Sequence, residues 1–161
     1  MLKNGGARYV ILGHSENRQL GEDNKKINSK IKSALKSGLK IIYCIGETLK
    51  EKRNKKTNQV LSKQIKMGLK LIQKKSSIII AYEPVWSIGT GLIPKPKDLK
   101  KSISFIKKKL GKKPYKILYG GSVNSDNIKQ LKNINTIDGF LIGGASQDPK
   151  KFIDIIKKTI N

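Results

Sequence analysis

Five short apolar segments rich in β-branched residues recur along the chain, and each ends in a loop with polar residues or glycines. They cover residues 8–14, 40–47, 77–83, 116–122 and 139–144. Continuous apolar runs of this kind are typical of strands that are buried on both faces. Most of their ends lie thirty-odd residues apart, which is the length of one strand plus one helix. The pattern therefore predicts a repeated strand–helix unit.

The segments between these strands carry apolar residues at helical spacing. The predicted apolar stripes are Ile27, Ile31, Leu35 and Leu39; Leu61, Ile65, Leu69 and Ile72; Ile103, Ile106 and Leu110; and Phe152, Ile153, Ile156 and Ile160. Gly38 and Gly111 are predicted to end two of these helices, and Asp148 to cap the last one before Pro149. Strands that alternate with helices predict a parallel sheet covered by helices. No linker or composition break divides residues 1–161, so we expect a single domain.

The first residues of the chain are unusual. Residues 1–5 resemble the last turn of a helix with its glycine stop, leading into the first strand. A domain seldom begins on the last turn of a helix. We therefore expect the chain to represent the later part of a larger architecture.

A net charge of +24, from 35 Lys+Arg against 11 Asp+Glu, raises the question of nucleic-acid binding. Arginine, which bidentate base and phosphate recognition usually requires, occurs only at Arg8, Arg18 and Arg53. The lysines fall mainly in the predicted helices between apolar residues, as on a solvated helix face. We therefore predict a lysine-rich surface without a specific nucleic-acid partner, which would still attract anionic substrates at low salt.

Other functional classes are excluded by what the sequence lacks. No apolar run approaches the roughly 20 residues that span a bilayer, and the N-terminus has no apolar segment of a signal peptide. Cys44 is the single cysteine, so we expect a reducing, cytoplasmic setting and a core position for it. No metal-ligand cluster, phosphate-binding Walker loop or nucleophile elbow is present, so neither a metal nor a cofactor is predicted.

Glu83 carries the strongest local signal for chemistry. It follows an apolar strand and precedes Pro84, so its carboxylate should be partly desolvated, which makes it a useful base. Residues 87–91, Ser-Ile-Gly-Thr-Gly, are typical of a mobile flap. The alternative interpretation is a structural carboxylate that pairs with a neighbouring lysine.

The other strand ends add weaker signals. His14, the only histidine, closes the first strand before a possible helix at residues 15–17, which favours a neutral ring that donates a hydrogen bond; a purely structural histidine is the alternative. Glu47 closes the second strand. Glycine pairs at residues 120–121 and 143–144 could expose backbone N–H groups to a phosphate, although a single pair usually marks only a tight turn.

Taken in order, five motifs resemble the triosephosphate isomerase family. They are Gly-His-Ser-Glu at 13–16, Cys-Ile-Gly-Glu at 44–47, Ala-Tyr-Glu-Pro-Val-Trp-Ser-Ile-Gly-Thr-Gly at 81–91, Tyr-Gly-Gly-Ser-Val at 119–123 and Asp-Gly-Phe-Leu-Ile-Gly-Gly-Ala-Ser at 138–146. The resemblance covers essentially the whole chain, and the Tyr-Glu-Pro-Val-Trp segment is highly specific. It implies part of a (β/α)8 barrel that interconverts dihydroxyacetone phosphate and glyceraldehyde 3-phosphate through an enediol, in glycolysis and gluconeogenesis, without a cofactor.

The resemblance also implies roles for individual residues. Glu83 would be the base and His14 the neutral group that polarises the carbonyl, which is the family's own division of labour. Glu16 matches a carboxylate beside the site. The phosphate would be held by Gly89, Ser122, Gly143 and Gly144. The segment from Pro84 to Leu92 would form the closing lid.

Departures from the family pattern limit what this chain is expected to do. A complete barrel has eight strands in about 250 residues, whereas the five predicted strands match strands four to eight. The family's first strand carries an active-site Asn and Lys, and its third loop docks into the partner of a homodimer; neither is in this sequence. Asn17 and Leu92 replace the family's common Arg and Lys. We therefore expect residues 1–161 alone to have negligible isomerase activity.

Two other functions remain open at this point. One is a non-catalytic, basic half-barrel that binds phosphates or RNA, with affinity that falls steeply with salt. The other is a different phosphate-binding barrel enzyme, which would share the two glycine-pair loops but not the Tyr-Glu-Pro-Val-Trp segment. The intact lid and both catalytic residues favour the isomerase over either.

Overall fold

The computed structural model describes residues 3–111 and 115–160. Five parallel strands form one sheet whose spatial order is the order along the chain. The strands are β1 (Tyr9–Leu12), β2 (Lys40–Ile45), β3 (Ile78–Tyr82), β4 (Ile117–Tyr119) and β5 (Gly139–Phe140). This arrangement confirms the predicted α/β fold and fits five consecutive βα units of a partial barrel.

Seven α-helices connect or follow these strands. They are α1 (Ser15–Gln19), α2 (Asn24–Lys36), α3 (Leu49–Arg53), α4 (Thr57–Gly68), α5 (Pro96–Leu110), α6 (Ile128–Lys132) and α7 (Pro149–Ile160) in the described part of the chain. The predicted signals at helix ends are present: Gly111 is the C-cap of α5, and the Asp148 carboxylate accepts from the backbone N–H of Lys150.

The core lies between the sheet and the inner faces of the long helices. Ile27 and Ile31 from α2, Leu61 from α4, and Ile103 and Ile106 from α5 are fully buried. They pack against the sheet residues Ile41, Tyr43, Ile80, Ile117 and Tyr119. This burial confirms most of the apolar stripes predicted for α2 and α5. The buried Leu39 lies beyond α2, which ends at Lys36, and Leu110 is only half-buried. No helix of the described residues combines the length and the apolarity needed to cross a bilayer.

The stripe predicted for α4 extends too far. The helix ends at Gly68, so Leu69 and Ile72 lie beyond it, although Ile72 is still buried. The side-chain amide of Asn28 on α2 donates to the carbonyl oxygens of Gly68 (2.8 Å) and Lys70 (3.0 Å). These bonds satisfy carbonyls that a longer helix would have used internally, so the chain turns away at this point.

The predicted apolar face of α7 is also wrong. Ile155 is its buried residue, whereas Ile153, Ile156 and Ile160 are exposed and Phe152 is half-buried. Among the described residues, α7 packs against α6 and the short turn at 144–147, which cover only one side of the helix.

The remaining differences are at element ends. Strands β1, β4 and β5 are shorter than the apolar runs that predicted them, because those runs include the loop residues that carry polar groups and glycines. The helix turn predicted for residues 1–5 falls partly on Met1 and Leu2, which lie outside the described residues. Residues 3–6 form a turn in which the N–H of Gly6 donates to the carbonyl of Lys3 at 3.0 Å.

Candidate active site

A cleft of about 900 Å³ opens at the carboxyl ends of the strands. The loops after β1, β3, β4 and β5 all contribute to it, because parallel strands end at the same edge of the sheet. Its lining includes His14, Glu83, Gly89, Ser122, Gly143 and Gly144. The residues predicted at four of the five strand ends therefore line one cavity, whereas Glu47, at the end of β2, and Glu16, on α1, do not.

His14 and Glu83 approach each other within this cleft. The Nε2 atom of His14 lies 3.8 Å from the Oε1 atom of Glu83. His14 is the N-cap residue of α1, as its position before the predicted helix suggested, and its side chain is 29% exposed. On the other side of the ring, Nδ1 lies 3.8 Å from Oε2 of Glu16, whose side chain is 81% exposed. One histidine is thus flanked by a buried and an exposed carboxylate.

Glu83 is the buried carboxylate of the pair. The residue is 3% exposed, and burial raises the pKa of its carboxyl group to about 7. The Cys44 thiol and the positive charge of Arg18 act in the opposite direction and lower this pKa. No lysine of the described residues forms an ion pair with Glu83, which argues against the structural interpretation. A carboxyl group with this pKa exchanges protons near neutral pH.

Two glycines allow the backbone to pack against Glu83. A Cβ atom on Gly120 would lie 2.7 Å from the Cγ atom of Glu83, closer than packing permits. A Cβ atom on Gly46 would overlap the carbonyl group of Glu83. The oxygen Oε2 of Glu83 is buried and has no hydrogen-bond partner among the described residues. That acceptor is available to a ligand in the cleft.

The predicted lid is held against the loop after β4. The hydroxyl of Ser122 donates to the carbonyl of Ser87 at 2.7 Å, and the N–H of Gly91 donates to Ser122 Oγ at 3.0 Å. The hydroxyls of Ser87 and Tyr119 also share a hydrogen bond of 3.0 Å. Gly89 and Gly91 both have positive φ angles, which glycine adopts without strain. These contacts place the lid over the rim of the cleft.

Glu47 lies behind the lid and does not line the main cleft. It is 2% exposed and accepts hydrogen bonds from the hydroxyl of Tyr82 and the indole N–H of Trp86, the latter at 3.0 Å. The Nζ atom of Lys52 lies 3.3 Å from the centre of the Trp86 ring. Burial raises the pKa of the Glu47 carboxyl group, and the Trp86 bond lowers it. Glu47 therefore anchors the start of the lid and has no direct access to the cleft.

Sequence reasoning missed two residues that act on the site from behind it. Cys44 was assigned only to the core; it is buried, and its thiol also lowers the pKa of the Glu83 carboxyl group. Arg18 was noted only as one of three arginines, but its side chain is half-buried and donates to carbonyl groups at the strand ends. Cys44 belongs to a recognisable motif, whereas no local signal in the sequence distinguishes Arg18.

Comparisons with known proteins agree with this geometry. The sequence model of the family described as triosephosphate isomerase matches residues 1–159. The chain belongs to the triosephosphate isomerase family. It is 47% identical to the triosephosphate isomerase of Thermodesulfovibrio yellowstonii over 98% of this chain and 67% of the relative. The enzymes of Zygosaccharomyces bailii and Saccharomyces cerevisiae are 47% and 46% identical over 96% of this chain and 65% of their own lengths.

The region that matches is shorter than the relatives themselves. The chain spans about two thirds of the curated relatives that it matches. Within the residues that the structure describes, no group of His, Cys, Asp or Glu side chains is arranged to hold a metal ion.

Proposed function

We propose that this cleft catalyses the interconversion of dihydroxyacetone phosphate and glyceraldehyde 3-phosphate through an enediol. The observation that carries the proposal is the His14–Glu83 pair, 3.8 Å apart, with the buried carboxyl group of Glu83 at a pKa of about 7. The reaction moves a proton between adjacent carbons, so it needs a base that both accepts and returns a proton near neutral pH. Membership of the triosephosphate isomerase family supports the same reaction.

The two residues take complementary roles. Glu83 removes a proton from one substrate carbon and returns it to the next. His14 donates a hydrogen bond from Nε2 to the substrate carbonyl oxygen, where negative charge develops in the enediolate. A neutral ring that donates from Nε2 carries no proton on Nδ1, so Glu16, whose Oε2 lies 3.8 Å from Nδ1, lies beside the ring without a hydrogen bond to it. Both catalytic side chains face one cleft, as a single substrate requires.

The phosphate end of the substrate is assigned to the glycine-rich rim. Gly89, Ser122, Gly143 and Gly144 line the same cleft as His14 and Glu83. The last two have open space where a side chain would be, so backbone N–H groups can approach an anion directly. The lid from Pro84 to Leu92 then excludes water from the enediol, which would otherwise lose phosphate.

Residues 1–161 by themselves are proposed to have negligible activity. Two observations support this: Tyr9 and Ile11 of the outermost strand β1 are 46% and 45% exposed, and the relatives are about half as long again. Strands with open edges and exposed apolar residues need a covering partner. A polypeptide carrying the remaining third of a relative should restore turnover on mixing. A rate near that of a complete enzyme from residues 1–161 alone would contradict this part of the proposal.

The decisive experiment measures turnover of glyceraldehyde 3-phosphate in the form with the highest activity, complemented if necessary. Glu83→Gln should reduce kcat by at least about a hundredfold, because it removes the base. Asp98→Asn is the matched control, since Asp98 is an exposed carboxylate at the start of α5. Equal rates for the two variants would remove Glu83 as the base. Salt-sensitive binding of generic polyanions without turnover would favour the non-catalytic alternative instead.

The cellular setting follows from the same proposal. A glycolytic and gluconeogenic isomerase is expected in the cytoplasm, where the buried thiol of Cys44 stays reduced. A homodimer is proposed by analogy with the family. Sedimentation of the complemented protein would test the dimer.

A further inference from the structure

Arg18 connects three separate parts of the structure near the catalytic pair. Its Nε donates to the carbonyl of Gly13 at 2.7 Å, and its Nη2 donates to the carbonyl of Cys44 at 3.1 Å. Its Nη1 donates to the side-chain oxygen of Asn24 at 2.8 Å. The guanidinium group thus bridges the end of β1, the strand β2 and the first residue of α2.

This bridge lies where the pairing of β1 and β2 stops. The last register pair of the two strands is Leu12 with Tyr43, so Gly13 and Cys44 follow directly after it. Two carbonyl groups cannot bond to each other, because both are acceptors. A planar guanidinium supplies several donors in a fixed geometry and can hold both. Arg18 therefore extends the connection between the strands by one residue, up to the residue before His14.

Arg18 also bonds to the backbone carbonyls immediately before and within His14. The backbone N–H of Arg18 donates to the carbonyl of His14 at 3.1 Å, while its side chain holds the carbonyl of Gly13. Gly13 has a φ of +75°, and a Cβ atom there would lie 3.1 Å from Nη2 of Arg18. The guanidinium thus packs closely on this backbone and holds the position of the residue from which the imidazole extends.

Arg18 also acts on Glu83, the other member of the pair, through its charge and through the strand that carries Cys44. Cys44, whose carbonyl it holds, lies opposite Ala81 in β3, two residues before Glu83, and its thiol lowers the pKa of the Glu83 carboxyl group. The charged and titratable groups that act on Glu83 are Arg18 and Glu16 from α1, Cys44 from β2 and His14 at 3.8 Å. Arg18 is the one positive charge among those that shift the pKa of Glu83, and it lowers that pKa.

We propose that Arg18 is a positioning residue of the isomerase site, which sets the separation of His14 and Glu83 by bridging the carbonyls of Gly13 and Cys44. The inference rests on the proposed isomerase function for its kinetic consequence. Its structural content, the placement of His14 relative to Glu83, is independent of that function. Lysine would retain the charge without the fork of donors, whereas glutamine would lose the charge.

The test compares Arg18→Lys and Arg18→Gln with Arg53→Gln, a control that removes a charge from an exposed position on α3. Carbon-13 NMR of the full chain follows the titration of the Glu83 carboxyl group. Nitrogen-15 NMR follows the imidazole of His14, which needs no assignment because it is the only histidine. Both Arg18 variants should shift the imidazole signals. Only Arg18→Gln should raise the pKa of Glu83.

In the active, complemented form, both Arg18 variants should lower kcat by about 10- to 100-fold, because small displacements of catalytic groups cost that much. KM should stay within about twofold, and Arg53→Gln should match the unmodified protein. If Arg18→Gln fails to fold, as circular dichroism would show, Arg18→Lys carries the comparison. Imidazole signals in Arg18→Lys identical to those in Arg53→Gln would overturn the proposal. Shifted imidazole signals in the Arg18 variants, together with no turnover by the unmodified complemented protein, would instead refute the isomerase function and leave the positioning intact.

Discussion

The side chain of Gln64 offers a sharp test of how the site is supported from behind. Gln64 lies on α4 and is 8% exposed. Its Oε1 accepts from the N–H of Gly46 at 2.9 Å, and its Nε2 donates to the carbonyl of Gly46 at 3.0 Å. Gly46 in turn packs against the carbonyl of Glu83, where no side chain would fit. One glutamine therefore satisfies both backbone groups of the residue on which Glu83 rests.

Gln64→Met keeps the length of the side chain and removes both hydrogen bonds. The N–H and C=O groups of Gly46 then remain buried without partners, and each such group costs about 1–3 kcal/mol. The apolar burial of methionine offsets part of that cost, so we expect the free energy of unfolding to fall by about 2–4 kcal/mol. With a urea dependence of about 1–3 kcal/mol per molar, the unfolding midpoint should fall by about 1–2 M.

The assay is urea unfolding followed by the fluorescence of Trp86, the only tryptophan, and by circular dichroism. Gln59→Met is the matched control, because Gln59 lies on the same helix but is exposed. It should unfold within about 0.5 kcal/mol of the unmodified protein. Equal midpoints for the two variants would show that Gly46 finds other partners, and the support of Glu83 through Gln64 would be refuted.

Three further predictions concern stability. Between pH 4.5, the ordinary pKa of the carboxyl group, and about 7, the pKa of Glu83, the folded protein binds more protons than the unfolded chain, so the free energy of unfolding should fall as pH rises. Glu83→Gln should flatten this pH dependence in urea unfolding from pH 4 to 8. An unchanged pH dependence would contradict the raised pKa. Tyr43→Phe removes a buried 2.8 Å bond to the carbonyl of Gln64 and should cost about 0.5–1.5 kcal/mol in the same assay, whereas a cost near zero would mean that the carbonyl is satisfied otherwise. Gly121→Ala would place a Cβ atom against Tyr119 and 2.7 Å from Ser87 Oγ, so the midpoint of thermal unfolding should fall by at least about 4 °C. The control Gly144→Ala, where the Cβ atom meets open space, should change the midpoint little. Similar shifts for both variants would refute the packing argument.

The sheet was the most predictable part of the structure. Runs such as Ile78–Tyr82 have strong β propensity and no charged residues. Such a run is stable mainly as a parallel strand that is buried on both faces of the sheet. Helix ends were predictable where a single residue decides them, as at Gly111. They were not predictable where a distant side chain decides them, as Asn28 does for α4, because periodicity records only residues close in sequence.

The same distinction between local and distant contacts explains which residues of the candidate site were predictable. His14 and Glu83 were found because each ends a strand, and parallel strands bring their ends together whatever the side chains do. The strand end alone did not predict the direction of the Glu47 side chain. It points to Tyr82 and Trp86 behind the lid, so Glu47 does not line the cleft although it follows a strand. Arg18 shows the limit most clearly, because its effect on the site passes through carbonyl groups, and every residue has one. Residues that act through their side chains can be predicted from a sequence motif. A residue that binds backbone carbonyls, as Arg18 does, is identified only once the strand register shows which two carbonyls lie side by side.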